Sequence, residues 1–92
     1  MTQDPQQLPL FPSAMRLQKI DPEANQYRFY RLSTQPTLFG EWALVRQWGR
    51  IGCYGTRRDD WYDNEGEALT ALAVLAEKKE RRGYRQNPET TV

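Results

Sequence analysis

The chain has 92 residues and a formal net charge of +1, room for one domain with a thin core and no overall charge that announces an acidic partner. It has no histidine and a single cysteine, Cys53, which excludes an internal disulfide, a zinc site of ordinary ligands and the side chain that most often acts as a base near neutral pH. No apolar run approaches the ~20 residues of a membrane span, and the N-terminus lacks the basic and apolar regions of a signal peptide, so a reducing cytoplasm is the expected location.

In chain order, residues 1–13 carry Pro5, Pro9 and Pro12 among glutamines, a pattern that opposes both helix and ladder pairing and reads as a flexible arm. Met15–Ile20 reads as a strand and Asp21-Pro22 as a turn. Tyr27–Thr34 is a second strand, apolar on both faces, and the loop opened by Gln35-Pro36 runs to Gly40. Glu41–Ile51 is a third strand, whose alternation sets Trp42, Leu44, Arg46, Trp48 and Arg50 on one face and Ala43, Val45, Gln47 and Ile51 on the other. Gly52 and Gly55 bracket a tight turn, and Thr56–Tyr62 is the fourth strand.

A helix follows, capped by Asp63 or Asn64 and opened by Glu65 and Glu67. Ala68, Leu69, Leu72, Leu75, Ala76 and Lys79 recur at helical spacing, Lys78–Arg82 suit the negative end of the helix, and Gly83 stops it. Tyr84 is expected to return to the core, alongside Trp42 and Trp61. The expected architecture is α+β: a four-stranded antiparallel meander with one C-terminal helix across a face, spanning residues 14–86, followed by a frayed tail at 87–92.

The residues offer little to an enzyme. Cys53 has no recognisable base partner. Asp59 and Asp60 are neighbours on a strand and point to opposite faces. The spacing of Gly49, Gly52 and Gly55 is not that of a phosphate-cradling loop. No catalytic residue, cofactor or metal is expected. A binding role has more support. Trp48 offers a flat face to a sugar or base, Gly49 allows another backbone to approach closely, and Arg50 can fork two hydrogen bonds onto a phosphate. The plainer alternative makes Trp48 a core residue with Arg50 at its edge or in solvent.

Charge distribution adds to the binding side. From Trp42 to Arg58 the chain has Arg46, Arg50, Arg57 and Arg58 and no acid, and a second basic stretch runs from Lys78 to Arg85. A nearly neutral chain gains a basic surface if the fold joins the two segments. Taken alone, the second stretch reads as a solvated helix end, and Arg57-Arg58 as either a phosphate contact or a strand end paired with Asp59 and Asp60.

Trp48-Gly49-Arg50-Ile51-Gly52 resembles the signature of the WGR domain family. The likeness extends to the aromatic strand Asn25–Leu32, the Trp-bearing strand Trp42–Trp48 and the helix ending in Arg82-Gly83-Tyr84, covering roughly residues 15–85. The resemblance implies an antiparallel sheet with one helix. It also implies DNA as partner: in DNA-dependent poly(ADP-ribose) polymerases such a domain meets DNA at a break, the motif tryptophan packing on a terminal nucleotide and the motif arginine serving a phosphate or a neighbouring domain. Those roles carry over to Trp48 and Arg50, with Asn25 at the start of the strand that also approaches DNA. Arg46 and Arg57 complete the expected surface. With no room in 92 residues for a catalytic domain, coupling to polymer synthesis is not expected.

In the arm, Gln7-Leu8-Pro9-Leu10-Phe11 resembles the pentapeptide with which bacterial replication and repair proteins bind the sliding clamp. Leu10 and Phe11 would fill an apolar pocket while Gln7 fixes the register, and Leu8 belongs to the same contact segment. The other reading has Leu10 and Phe11 folding back onto the domain. A free sheet edge leaves the oligomeric state open.

Overall fold

The structure is a computed structural model and describes residues 13–86. The arm residues Gln7, Leu8, Leu10 and Phe11 lie outside the described residues. Strands β1 (Ala14–Asp21), β2 (Gln26–Pro36), β3 (Trp42–Arg50) and β4 (Thr56–Tyr62) follow one another, then helix α1 (Glu65–Arg81) and a short β5 (Arg85–Gln86). The sheet has five strands in the order β4-β3-β2-β1-β5, every pair antiparallel. The first four form the expected meander.

The fifth strand corrects the expectation of four, and its cause lies in how α1 ends. Gly83 adopts φ +103°, in the left-handed region that a residue without Cβ reaches cheaply. Its N–H donates to the Glu80 carbonyl at 3.1 Å, and the Tyr84 N–H donates to the Lys79 carbonyl at 3.1 Å. These two bonds make a Schellman ending. It reverses the chain, drops Tyr84 into the core at 8% exposure and lays Arg85 and Gln86 beside Gln18 and Leu17 of β1. The other end of α1 is fixed by Asn64, whose side-chain oxygen accepts from the Glu67 N–H at 2.9 Å.

The helix covers one face of the sheet. Leu17, Tyr30, Leu32 and Leu44 from three strands meet Leu72 and Ala76 from α1 and Tyr84 behind it. Leu17, Leu32, Leu44 and Leu72 are fully buried, each contributing about 1.5–3 kcal/mol relative to an exposed side chain. The opposite face is open. Residues of odd parity on β2 to β4 point there, and Trp61 is among them, across from Ala43. That placement leaves Trp61 59% exposed, a correction to its expected burial: parity turns it away from the helix, and among the described residues no second layer covers it. Trp42, of even parity, is half-buried on the helix side.

Candidate nucleic-acid interface

Trp48 sits on the helix face of β3, directly across from Tyr30 of β2. The two rings stack, with centroids 5.5 Å apart and planes 11° from parallel. Tyr30 is 3% exposed and belongs to the core, whereas Trp48 is half-buried at its margin. The ring is therefore neither free in solvent nor sealed under α1. One aromatic face is committed to packing, which fixes the indole rigidly at the rim.

Cations from both basic segments gather around this pair. The Arg46 guanidinium lies 5.6 Å from the Trp48 ring centre and donates to the Tyr30 hydroxyl at 3.4 Å. From α1, the Lys79 ammonium lies 4.5 Å from the centre of the Tyr30 ring and 5.9 Å from that of Tyr84. Burial lowers the Lys79 pKa below the ordinary lysine range, and the charges of Arg82, Arg46 and Lys78 push the same way. Asp60 is the acid at this cluster: it pairs with Arg46 at 3.0 Å and with Arg58 at 3.1 Å, so its single charge is divided between two guanidiniums. The fold thus joins the end of α1 to β3. In the sequence, Lys79 reads as part of the helix stripe and of a solvated helix end. The signal was present in the second basic stretch, but its neighbours depend on how α1 crosses the sheet.

Arg50 and Asn25 form a second group at the same end of β3. Asn25 closes the 3₁₀ turn Pro22–Ala24 in the left-handed conformation, φ 55°. Arg50 donates to the Asn25 carbonyl at 3.3 Å and to its side-chain oxygen at 3.4 Å, and its guanidinium lies 5.3 Å from the Tyr27 ring centre. Asn25, Tyr27, Arg28, Gly49 and Arg50 line a shallow cleft of ≈ 350 Å³. Arg28 is the cross-strand partner of Arg50, which concentrates positive charge beside the cleft.

Gly49 lines that cleft, yet its lack of a side chain answers to the chain itself. A Cβ there would stand 2.8 Å from the Gly55 Cα and 3.6 Å from the Phe29 ring. The β3–β4 turn folds back over the open face, Gly55 rests on Gly49, and Gln47 ties the turn down by donating to the Tyr54 carbonyl at 2.7 Å. A Cβ on Gly55, at φ +80°, would collide with the Trp48 carbonyl. The close backbone approach expected of a ligand is made by the protein's own turn.

Arg57 is separated from this site. It stands across from Gln47 on β4, on the open face, and is held by Asp59 through bonds of 3.1 and 3.3 Å. The structure therefore brings Trp48 together with Arg46, and Arg50 together with Asn25, and places Arg57 on the open face. Among the described residues no group of three metal-ligating side chains gathers, and no helix is long and apolar enough to cross a membrane.

Comparison with known proteins identifies the family. The chain is 36% identical over 77 residues to uncharacterized protein y4dW of Sinorhizobium fredii, an alignment covering 84% of this chain and 38% of the relative, so the chain spans about two fifths of that protein's length. No solved structure matches. The family profile of the WGR domain matches residues 13–91, which takes in every strand and the helix. The chain belongs to the WGR domain family, a family of nucleic-acid-binding modules.

Proposed function

We propose that this domain binds DNA, at an end or along the backbone, through the rim formed by Trp48, Arg46 and Lys79 and the adjoining cleft of Arg50 and Asn25. The observation that supports it most is the crowding of Lys79. A lysine held below its ordinary pKa by burial and by three neighbouring cations is an unfavourable arrangement in the free protein, and a phosphate placed there relieves it. Arg50 is poised in a similar way. Its bonds to Asn25, at 3.3 and 3.4 Å, are long and exchange readily for shorter charge-assisted bonds to a phosphate. Trp48, braced from behind by Tyr30, supplies an apolar edge against which a terminal sugar or base can pack.

The test is titration of labelled duplexes with blunt, nicked and 5′-phosphorylated ends at two ionic strengths. Affinity is expected to fall steeply with salt and to weaken in Trp48→Ala and Arg50→Ala. Binding indifferent to both substitutions defeats the proposal. The alternative is a protein adaptor that docks the sliding clamp through Gln7, Leu8, Leu10 and Phe11. It rests on the sequence of the arm, and nuclease treatment of a pull-down separates the two: DNA-bridged partners are lost, directly held ones stay.

A further inference from the structure

Among the described residues, the two most exposed large apolar side chains lie at the end of the molecule remote from Trp48. Leu38 is 95% exposed and Phe39 is 86% exposed, both in the β2–β3 loop. The loop is built to hold them out. The Thr37 N–H donates to the Glu41 carbonyl at 2.8 Å, and the Thr37 hydroxyl accepts from the N–H groups of Phe39 and Glu41 at 3.1 and 3.2 Å. Gly40, at φ +87°, completes the turn. Neither side chain contributes to the core, so their placement does nothing for folding and costs exposed apolar surface. Trp61, 59% exposed, stands on β4 toward the same end.

Charge says what kind of partner this end fits. Trp42 pairs with Tyr62, which brings the next residues outward, Glu41 and Asp63, to neighbouring strand ends. Glu65 and Glu67 open α1 directly beyond. The Leu-Phe tip thus projects from an acidic end, while the cations around Trp48 occupy the other end of β3. An acidic surround repels a phosphate backbone and complements an apolar pocket rimmed by cations. The sequence narrows this further. Gln35-Pro36-Thr37-Leu38-Phe39 repeats the Gln-x-x-Leu-Phe spacing of Gln7-Leu8-Pro9-Leu10-Phe11 in the arm.

We propose that the β2–β3 loop is a protein-docking element, inserting Leu38 and Phe39 into a cation-rimmed apolar pocket of the kind that takes Gln-x-x-Leu-Phe segments, with the basic end of the domain left free for nucleic acid. It stands apart from the DNA reading and shares only its partner class with the arm. A preformed turn loses little conformational entropy on docking, and a leucine beside an aromatic is a compact anchor.

The probe is the purified bacterial sliding clamp, titrated without DNA against the full chain, Leu38→Ala with Phe39→Ala, Leu10→Ala with Phe11→Ala, and all four changes together. Removing the loop pair is expected to weaken clamp binding about tenfold or more while leaving duplex affinity unchanged. Since both side chains are exposed, the circular dichroism spectrum should stay that of the parent. Loss on changing the loop alone supports the loop and removes the arm from the contact. Loss on changing the arm alone overturns the proposal and leaves the arm reading standing. No clamp binding by the parent chain overturns both. A loop variant that loses duplex affinity instead also overturns it, because the tip would then be meeting DNA.

Discussion

Substituting Gly49 of β3 and Gly52 and Gly55 of the β3–β4 turn should separate a structural demand from a ligand's demand, because the three positions differ in what a methyl group would meet. At Gly52 there is open space and φ is +98°, so Gly52→Ala costs only the left-handed backbone, about 1–2 kcal/mol. At Gly49 the conformation suits any residue, but the new Cβ would stand 2.8 Å from the Gly55 Cα. That is an overpacking clash against backbone, costing about 1–3 kcal/mol. At Gly55 both penalties combine: φ is +80° and the Cβ would strike the Trp48 carbonyl, for a total on the order of 3 kcal/mol or more. For a domain of this size each kcal/mol lowers the melting temperature by about 4–8 °C, so calorimetry or thermal circular dichroism orders the three variants. Duplex affinity of Gly49→Ala, measured well below its melting point, should stay close to that of the parent. The reasoning is refuted if Gly49→Ala melts with the parent and loses DNA: Gly49 would then be small for the ligand and not for the turn.

Other consequences are as direct. Lys79→Met keeps the aliphatic stem on Tyr30 and removes the crowded charge, so it should bind DNA more weakly and flatten the slope of log affinity against log salt by about 0.9 if Lys79 meets one phosphate, which titration at several salt concentrations reads. The pH dependence has a defined sign. With its folded pKa lowered, Lys79 binds fewer protons in the folded chain than in the unfolded one between the two values, so stability should rise with pH through that alkaline window, and Lys79→Met should abolish this contribution in urea melts. A bound phosphate reverses the shift, so association should take up protons there, visible as a buffer-dependent heat in calorimetry. At the start of α1, Asn64→Ala removes the acceptor for the Glu67 N–H and should cost about 1 kcal/mol, without effect on duplex affinity.

The parts of the fold that could be read from the sequence are those with a period. The alternation from Trp42 to Arg50 placed Trp48 and Arg46 on one face, and the helical stripe found Ala68, Leu72 and Ala76, which are the buried residues of α1. The helix cap, narrowed to Asp63 or Asn64, and the closing Gly83 are readable because single residues carry those signals. Two residues cannot show a period, so β5 was invisible, although the return of Tyr84 that creates it was not. What failed needed knowledge of which elements meet. Trp61 looks like core on composition and is exposed because of the face it shares with Arg57 and Asp59. Arg57 joins the candidate contacts on charge, and parity and register set it on the open face, apart from Trp48. The crowding of Lys79 depends on Arg46, 33 positions earlier in the chain, and no local pattern couples them. The pairing of Arg50 with Asn25, 25 positions away, is of the same kind.

The short β5 has a consequence for how such a domain is wired into longer polypeptides. Gln86 lies beside Leu17, and Ala14 is three residues further along β1, roughly 10 Å at the rise of a strand. The entry and exit of the folded unit therefore share one edge of the sheet, while the Trp48 rim and the Leu38-Phe39 tip lie at the two ends of β3. A host chain cut at an exposed loop tip can be rejoined through such a unit with little change in the distance it must span. The relative from Sinorhizobium fredii, 38% of which aligns with this chain, is a longer polypeptide of the kind to which such an arrangement of entry and exit would apply.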